Sequence, residues 1–322
     1  MRSKQADHWH PCMVPPRVLM RRNRNRNRNA HTLRAGLLAT LLLLLVLVPL
    51  SAAWAAEQRL LIPPRLSDER LAESDPPHLV IYNSDKPASP LLLWLAGTGG
   101  APATGPRLFY GAALQQGFRL IALSYRDTPA VSQVCTGPAL RAQSDCAGRM
   151  RQQRVWGDPQ SGLIADRPED AIVPRFTRLL QHLARSDAAG AWTQYLDGDE
   201  PRWARVTLAG QSQGGGMAAY LAQTRQVAGV IMFSGGWDHR AGGDMADWYS
   251  RSSATPSQRW HATFHADEAQ AATMERIYRR LGLPAAQIHT LSEPMLGRRP
   301  HTEGISNPAY QPLWERMLQG QQ

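Results

Sequence analysis

The chain has 322 residues, of which 43% are hydrophobic and 19% charged, and 36 Lys and Arg against 26 Asp and Glu give a formal net charge of +10. This composition supports a sizeable core and excludes a chain disordered throughout. Three cysteines are too few for a disulfide-scaffold mini-protein and lack zinc-finger spacing.

The basic excess is concentrated at the N-terminus. Residues 1–55 hold nine basic residues against the single acid Asp7, which leaves 27 basic and 25 acidic residues beyond them, a net of +2. Charge therefore makes no case for nucleic acid as a partner of the remaining chain. Lys occurs only at Lys4 and Lys86, and all other basic residues are Arg. Residues 36–50 carry no charge. That run is short for a membrane-spanning helix, which needs roughly 20 residues, and has the length of a signal-peptide apolar region. Ala53-Trp54-Ala55 then matches the small-x-small cleavage pattern. We therefore expect cleavage after Ala55, a single catalytic domain over 56–322, a periplasmic or secreted location, and no stable membrane anchor after cleavage. An uncleaved anchor is the rival reading. Met20 is an alternative start, which would leave Cys12 outside the protein. In an oxidising compartment Cys135 and Cys146, with ten residues between them, favour a disulfide closing a small loop over two free thiols.

Beyond the leader, strand and helix patterns alternate. Residues 78–83 read as a strand. Leu91-Leu-Leu-Trp-Leu95 is an apolar run ending in Gly97-Thr98-Gly99-Gly100, as suits a strand buried on both faces. A helix over 105–116 and a strand over 118–125 follow. Residues 127–163 show little periodicity and are read as an insertion carrying the Cys pair. Residues 166–185 repeat apolar side chains at helical spacing, with Pro174 expected to kink the helix or move its start. Strands are expected at 204–209, 227–233, 260–264 and 287–291, and helices at 214–223, 268–281 and 308–318. Such alternation implies a mostly parallel sheet with helices on both faces.

Gly210-Gln211-Ser212-Gln213-Gly214 lies between an expected strand and an expected helix. A nucleophile elbow has this context: a sharp strand-to-helix turn that exposes the Ser hydroxyl and aims a helix N-terminus at a developing oxyanion. A serine nucleophile needs a base and an orienting acid, which follow it in the order Ser, acid, His. Asp267 is the expected acid and His301 the expected base. Glu268 and Asp238 are alternative acids. The oxyanion donors are expected to be the backbone N–H of Gln213 and that of Thr98, with Gly97 and Gly99 as alternatives to Thr98. His261 and His265 stand four apart, but on a strand rather than a helix face, so no metal site is expected.

With these residues the chain resembles serine hydrolases of the α/β-hydrolase superfamily. It is similar in particular to exported bacterial hydrolases with an elbow of the form G-H-S-Q-G-x-G, here with Gln211 in place of His. Further matching stretches are 95–100, the Cys135 and Cys146 pair, and Phe233-Ser234-Gly235-Gly236-Trp237-Asp238. The resemblance implies hydrolysis of a small-molecule or polymeric carboxylic ester through an acyl-enzyme, without metal or organic cofactor. Peptidases, acyltransferases and polyester depolymerases share such a triad. A non-catalytic binding module on the same fold is the alternative from outside enzymology.

Overall fold

The computed structural model describes residues 57–321. The expected signal segment, its cleavage point and Cys12 lie outside the described residues. Among the described residues no helix is long and apolar enough to cross a membrane.

Eight strands form one sheet: β1 (Glu57–Ile62), β2 (His78–Asn83), β3 (Leu91–Leu95), β4 (Arg119–Leu123), β5 (Val206–Gln211), β6 (Gly229–Phe233), β7 (Trp260–His265) and β8 (Ile288–Leu291). Their order is β1-β2-β4-β3-β5-β6-β7-β8. The β1–β2 and β2–β4 pairs are antiparallel and all others are parallel. This is the α/β-hydrolase fold, with β5 at the centre and its C-terminal end at the carboxyl edge of the parallel strands, where ligands bind in open α/β sheets.

Every residue of β3 is buried, because helices cover both faces. Alternation divides its side chains between two cores. Leu92 and Trp94 meet Phe109, Tyr110, Leu313 and Trp314, from α1 (Arg107–Gln115) and a helix at Gln311–Gln319. Leu91, Leu93 and Leu95 belong to the opposite core. That core takes in α2 (Cys146–Trp156), α3 (Ile172–Ser186), α4 (Gln213–Thr224) and α5 (Ala271–Arg280). Pro174 falls in the first turn of α3, where its missing N–H is harmless, so it moves the helix start rather than kinking it.

Three elements depart from expectation. β1 is an edge strand whose alternate residues are solvent-facing and whose first half, Glu57-Gln58-Arg59, is polar, so it lacks the long apolar run of a buried strand. The helix expected over 308–318 is preceded by a separate one, α6 (Pro300–Ser306), and the last helix, α7, is Gln311–Gln319. The aperiodic segment 127–163 contains the 11-residue helix α2, whose buried face includes Arg151, Gln153 and Arg154. These polar residues break the apolar repeat that marks a helix. Arg151 pairs with Asp238 at 2.6 Å and Arg154 with Asp166 at 2.9 Å, so each buried guanidinium is matched by a carboxylate.

Cys135 and Cys146 form a disulfide with Cα atoms 5.6 Å apart, and Cys146 is the first residue of α2. Closing so short a loop in the unfolded chain is worth about 2–3 kcal/mol. Replacing both cysteines by serine should therefore lower the free energy of unfolding by about that amount, read from denaturant midpoints, and reductant should shift the wild type but not the double variant.

Candidate active site

Ser212 sits between β5 and α4 with φ 55° and ψ −122°, a backbone conformation that costs a non-glycine residue free energy. The turn is tight enough that two neighbours must be glycine. A Cβ on Gly214 would collide with the carbonyl oxygens of Leu95 and Ala96 at the end of β3. One on Gly210 would lie 2.5 Å from the Gly214 carbonyl carbon. Gly215 likewise faces Gly235, whose own Cβ would come within 2.9 Å of the Gly215 Cα. Backbone thus packs on backbone. The Ser212 amide donates to the Phe233 carbonyl at 2.8 Å, which ties the turn to β6.

The loop after β3 reaches the same place. Gly97 to Gly100 form a turn closed by Gly100 N–H donating to the Gly97 carbonyl at 2.9 Å, with Gly99 at φ 75°. A Cβ on Gly97 would lie 3.1 Å from the Ser212 Cβ. The loop is braced from behind. The Asp127 carboxylate accepts from the Gly99 and Gly100 amides, and burial nevertheless pushes its carboxyl up. The Gln213 side chain accepts from Val131 N–H at 2.9 Å and donates to the Asp127 carbonyl. Thr98, Ser212 and Gln213 line one cavity of about 50 Å³. Thr98 also faces a larger cleft of about 470 Å³ bounded by Trp94, Arg107, Leu108 and Gln211.

The structure corrects the expected acid. His301 Nδ1 lies 2.6 Å from Glu268 Oε2, whereas Asp267 turns outward with its side chain 67% exposed. Asp267 Oδ2 is 3.7 Å from Nδ1 of the buried His265. The reason is the turn after β7: the chain bends outward at Ala266 and Asp267 and re-enters at Glu268, which is buried. Glu268 Oε1 accepts from Ser234 Oγ at 2.6 Å and from His265 N–H at 2.9 Å. Burial raises the carboxyl, but hydrogen bonds from His301, Ser234 and His265 outweigh it and hold Glu268 below its ordinary value of 4.5. Asp238, the other alternative, is committed elsewhere: it takes both Nε and Nη2 of Arg151 and the Trp248 indole N–H at 2.9 Å.

His301 is the second residue of α6. Glu303 anchors that helix by accepting from the Leu296 and Gly297 amides and from Asn307 Nδ2. Gln211 Nε2 donates to the His301 carbonyl at 3.1 Å, which joins the start of α6 to the residue beside Ser212. The Trp237 ring stands edge-on to the imidazole at 5.4 Å. Nδ1 is occupied by Glu268, so Nε2 is the nitrogen left for a second partner. His261 and His289, by contrast, stack on each other across β7 and β8, 3.2 Å apart, and burial pushes both toward the neutral form. His265 contacts the Glu293 carbonyl. Among the described residues no group of three or more His, Cys, Asp or Glu is arranged to hold a metal ion.

Sequence reasoning missed Ser234 and Gln211. Ser234 stands at φ 46° directly after β6, and nothing local marks it as a partner of a residue 34 positions on. Gln211 occupies the variable position of the elbow, and its role appears only once α6 is in place.

Glu268→Gln places an amide donor against Nδ1 and favours the wrong tautomer, so any His301-dependent turnover should fall by on the order of 10³–10⁴-fold. Asp267→Asn should change stability by less than about 0.5 kcal/mol and leave turnover near wild type. Because the folded-state value of Glu268 is lowered, its contribution to stability is present above about pH 4.5 and is lost as pH falls through that lowered value. The difference in denaturation midpoint between wild type and Glu268→Gln should accordingly be constant near neutrality and shrink on acidification below pH 4.5.

No protein-family model matches the chain, and no curated protein matches it. Solved structures do. A hormone-sensitive lipase from a metagenome library aligns over 76% of this chain and 80% of its own, at 16% identity and a TM-score of 0.43. A dienelactone hydrolase from Anabaena variabilis aligns over 82% and 97%, at 14% identity and a TM-score of 0.43. An esterase from the bacterial hormone-sensitive lipase family aligns over 82% of each chain, at 16% identity and a TM-score of 0.43.

Proposed function

We propose that the protein is an exported serine hydrolase that cleaves carboxylic esters through an acyl-enzyme. The observation that carries this reading is the constellation around Ser212. A serine held at positive φ on a strand–helix turn borders a cavity with Thr98 and Gln213, beside a His301–Glu268 pair tied to the adjoining Gln211.

In the first half-reaction Ser212 Oγ attacks the ester carbonyl carbon while His301 Nε2 takes its proton. Glu268 holds the tautomer and stabilises the imidazolium. The amides of Gln213 and Thr98 donate to the tetrahedral oxyanion, each worth about 3–4 kcal/mol of barrier in comparable sites. The proton passes to the departing alkoxide, which leaves as an alcohol. Water then attacks the acyl-enzyme by the same route and frees the carboxylic acid and Ser212.

Export is supported by the basic leader, its 15-residue uncharged run and the disulfide. Once that run is removed with the leader, no helix among the described residues is long and apolar enough to cross a membrane. The elbow and the disulfide also support kinship with exported hydrolases bearing the extended elbow, with Gln211 taking a structural part through His301.

The test is a panel of short p-nitrophenyl esters and amides with purified wild type and Ser212→Ala. Ester turnover should fall at least about 10⁴-fold in the variant, and a fluorophosphonate probe should label wild type alone. Full ester turnover by Ser212→Ala would remove the assignment. Failure of wild type to label would favour a binding module.

A further inference from the structure

The segment that follows β4 holds both elements that carry the expected oxyanion donors: the loop with Thr98, and Gln213, the first residue of α4. Asp127 does so with two different groups. Its carboxylate accepts from the amides of Gly99 and Gly100, the two residues after Thr98. Its carbonyl accepts from Gln213 Nε2, and Gln213 Oε1 accepts in turn from Val131 N–H at 2.9 Å. Tyr125 adds a third tie, its hydroxyl donating to the Ala96 carbonyl at 2.5 Å. The segment is itself held in place. Buried Arg154 of α2 donates to the Pro129 carbonyl at 2.6 Å and to the Thr128 carbonyl at 3.3 Å.

Asp127 is only 9% exposed, and a carboxylate is costly to bury unless donors replace its water. Arg154, the cation whose charge acts on it, spends Nε on Asp166 at 2.9 Å. Main-chain amides are therefore what offset the burial of Asp127.

We propose that Asp127 is a positioning residue of the oxyanion hole, setting the Thr98 amide through its carboxylate and the Gln213 amide through its carbonyl. The inference rests on the serine-hydrolase reading and deepens it at the same site. With the Gly99 and Gly100 amides committed to Asp127, Thr98 is the residue of the three whose amide is left for the cavity it shares with Ser212 and Gln213. A donor lowers the barrier only if it is fixed where the oxyanion forms, and a displacement of about 1 Å costs on the order of 10²-fold. Two carboxylate oxygens can serve two amides at once, whereas an asparagine keeps one acceptor oxygen.

The experiment compares purified wild type, Asp127→Asn and Asp127→Ala on p-nitrophenyl acetate, with rates expressed per site titrated to completion by a fluorophosphonate. The second measurement is inhibition by trifluoromethyl ethyl ketone. Ser212 Oγ adds to the carbonyl carbon of that ketone and passes its proton to His301, which leaves an oxyanion where that of the ester forms. In Asp127→Ala, kcat should fall on the order of 10²-fold with KM within about threefold, and the ketone should bind more weakly by a similar factor. Asp127→Asn should lose about tenfold in each, and it carries the test if Asp127→Ala does not fold. A residue that only supports the fold would lower the unfolding midpoint and the titrated fraction while leaving both per-site quantities unchanged. That result in the folded variants would overturn the positioning role and leave the hydrolase intact. So would a loss confined to KM, or a fall in kcat with ketone affinity unmoved. A wild type that neither turns over the ester nor labels would overturn the hydrolase reading and this inference with it.

Discussion

The contact between α4 and the end of β3 governs the geometry of everything around it. Gly214 lies so close to the Leu95 and Ala96 carbonyls that no side chain fits between them. This approach bends the chain sharply at Ser212 and leaves that residue in a conformation that only surrounding structure can maintain. It also brings the Gly97 loop within contact of the Ser212 Cβ. Ser212 and the loop opposite it are thus set by backbone packing. The compensation for the unfavourable φ comes from the all-buried β3 and β5 and from the Ser212 hydrogen bond to β6.

The charged half of the site is organised differently. Glu268, in the turn after β7, and His301, at the start of α6, are positioned by hydrogen bonds: Ser234 and His265 to Glu268, Glu303 to the loop before α6, and Gln211 to His301. Two of these ties join residues far apart in the chain, and the buried Glu268 carboxylate is matched by donors. A buried carboxylate without such donors would be driven toward protonation and would lose its hold on the imidazole.

Those two modes of construction decide what the sequence revealed. Backbone packing announces itself, because an apolar run such as 91–95 and glycines at fixed offsets from Ser212 are what close main-chain approach demands. The succession of strands and the strand–helix turn at Ser212 were legible for that reason. Side-chain ties between distant residues do not announce themselves. Asp267 and Glu268 are both carboxylates and differ in which way a two-residue bend faces, so the chain order that favoured Asp267 carried no information about direction. Helix α2 was hidden for a related reason: its inner face buries Arg151 and Arg154, whose partners Asp238 and Asp166 lie 87 and 12 residues away. Periodicity detects oil against oil, and here the helix is held inward by ion pairs and a disulfide.

That difference implies an uneven tolerance of change across the molecule. Where main chain touches main chain, around Ser212, even a methyl group has nowhere to go, and drift in sequence is closed off. Helix α2 is held, besides its apolar packing, by guanidinium–carboxylate pairs to Asp238 and Asp166 and by a disulfide to Cys135, contacts with residues outside the strands that can be exchanged in matched pairs without moving a strand. The segment around α2 can therefore change while the strand–helix turn behind it stays as it is.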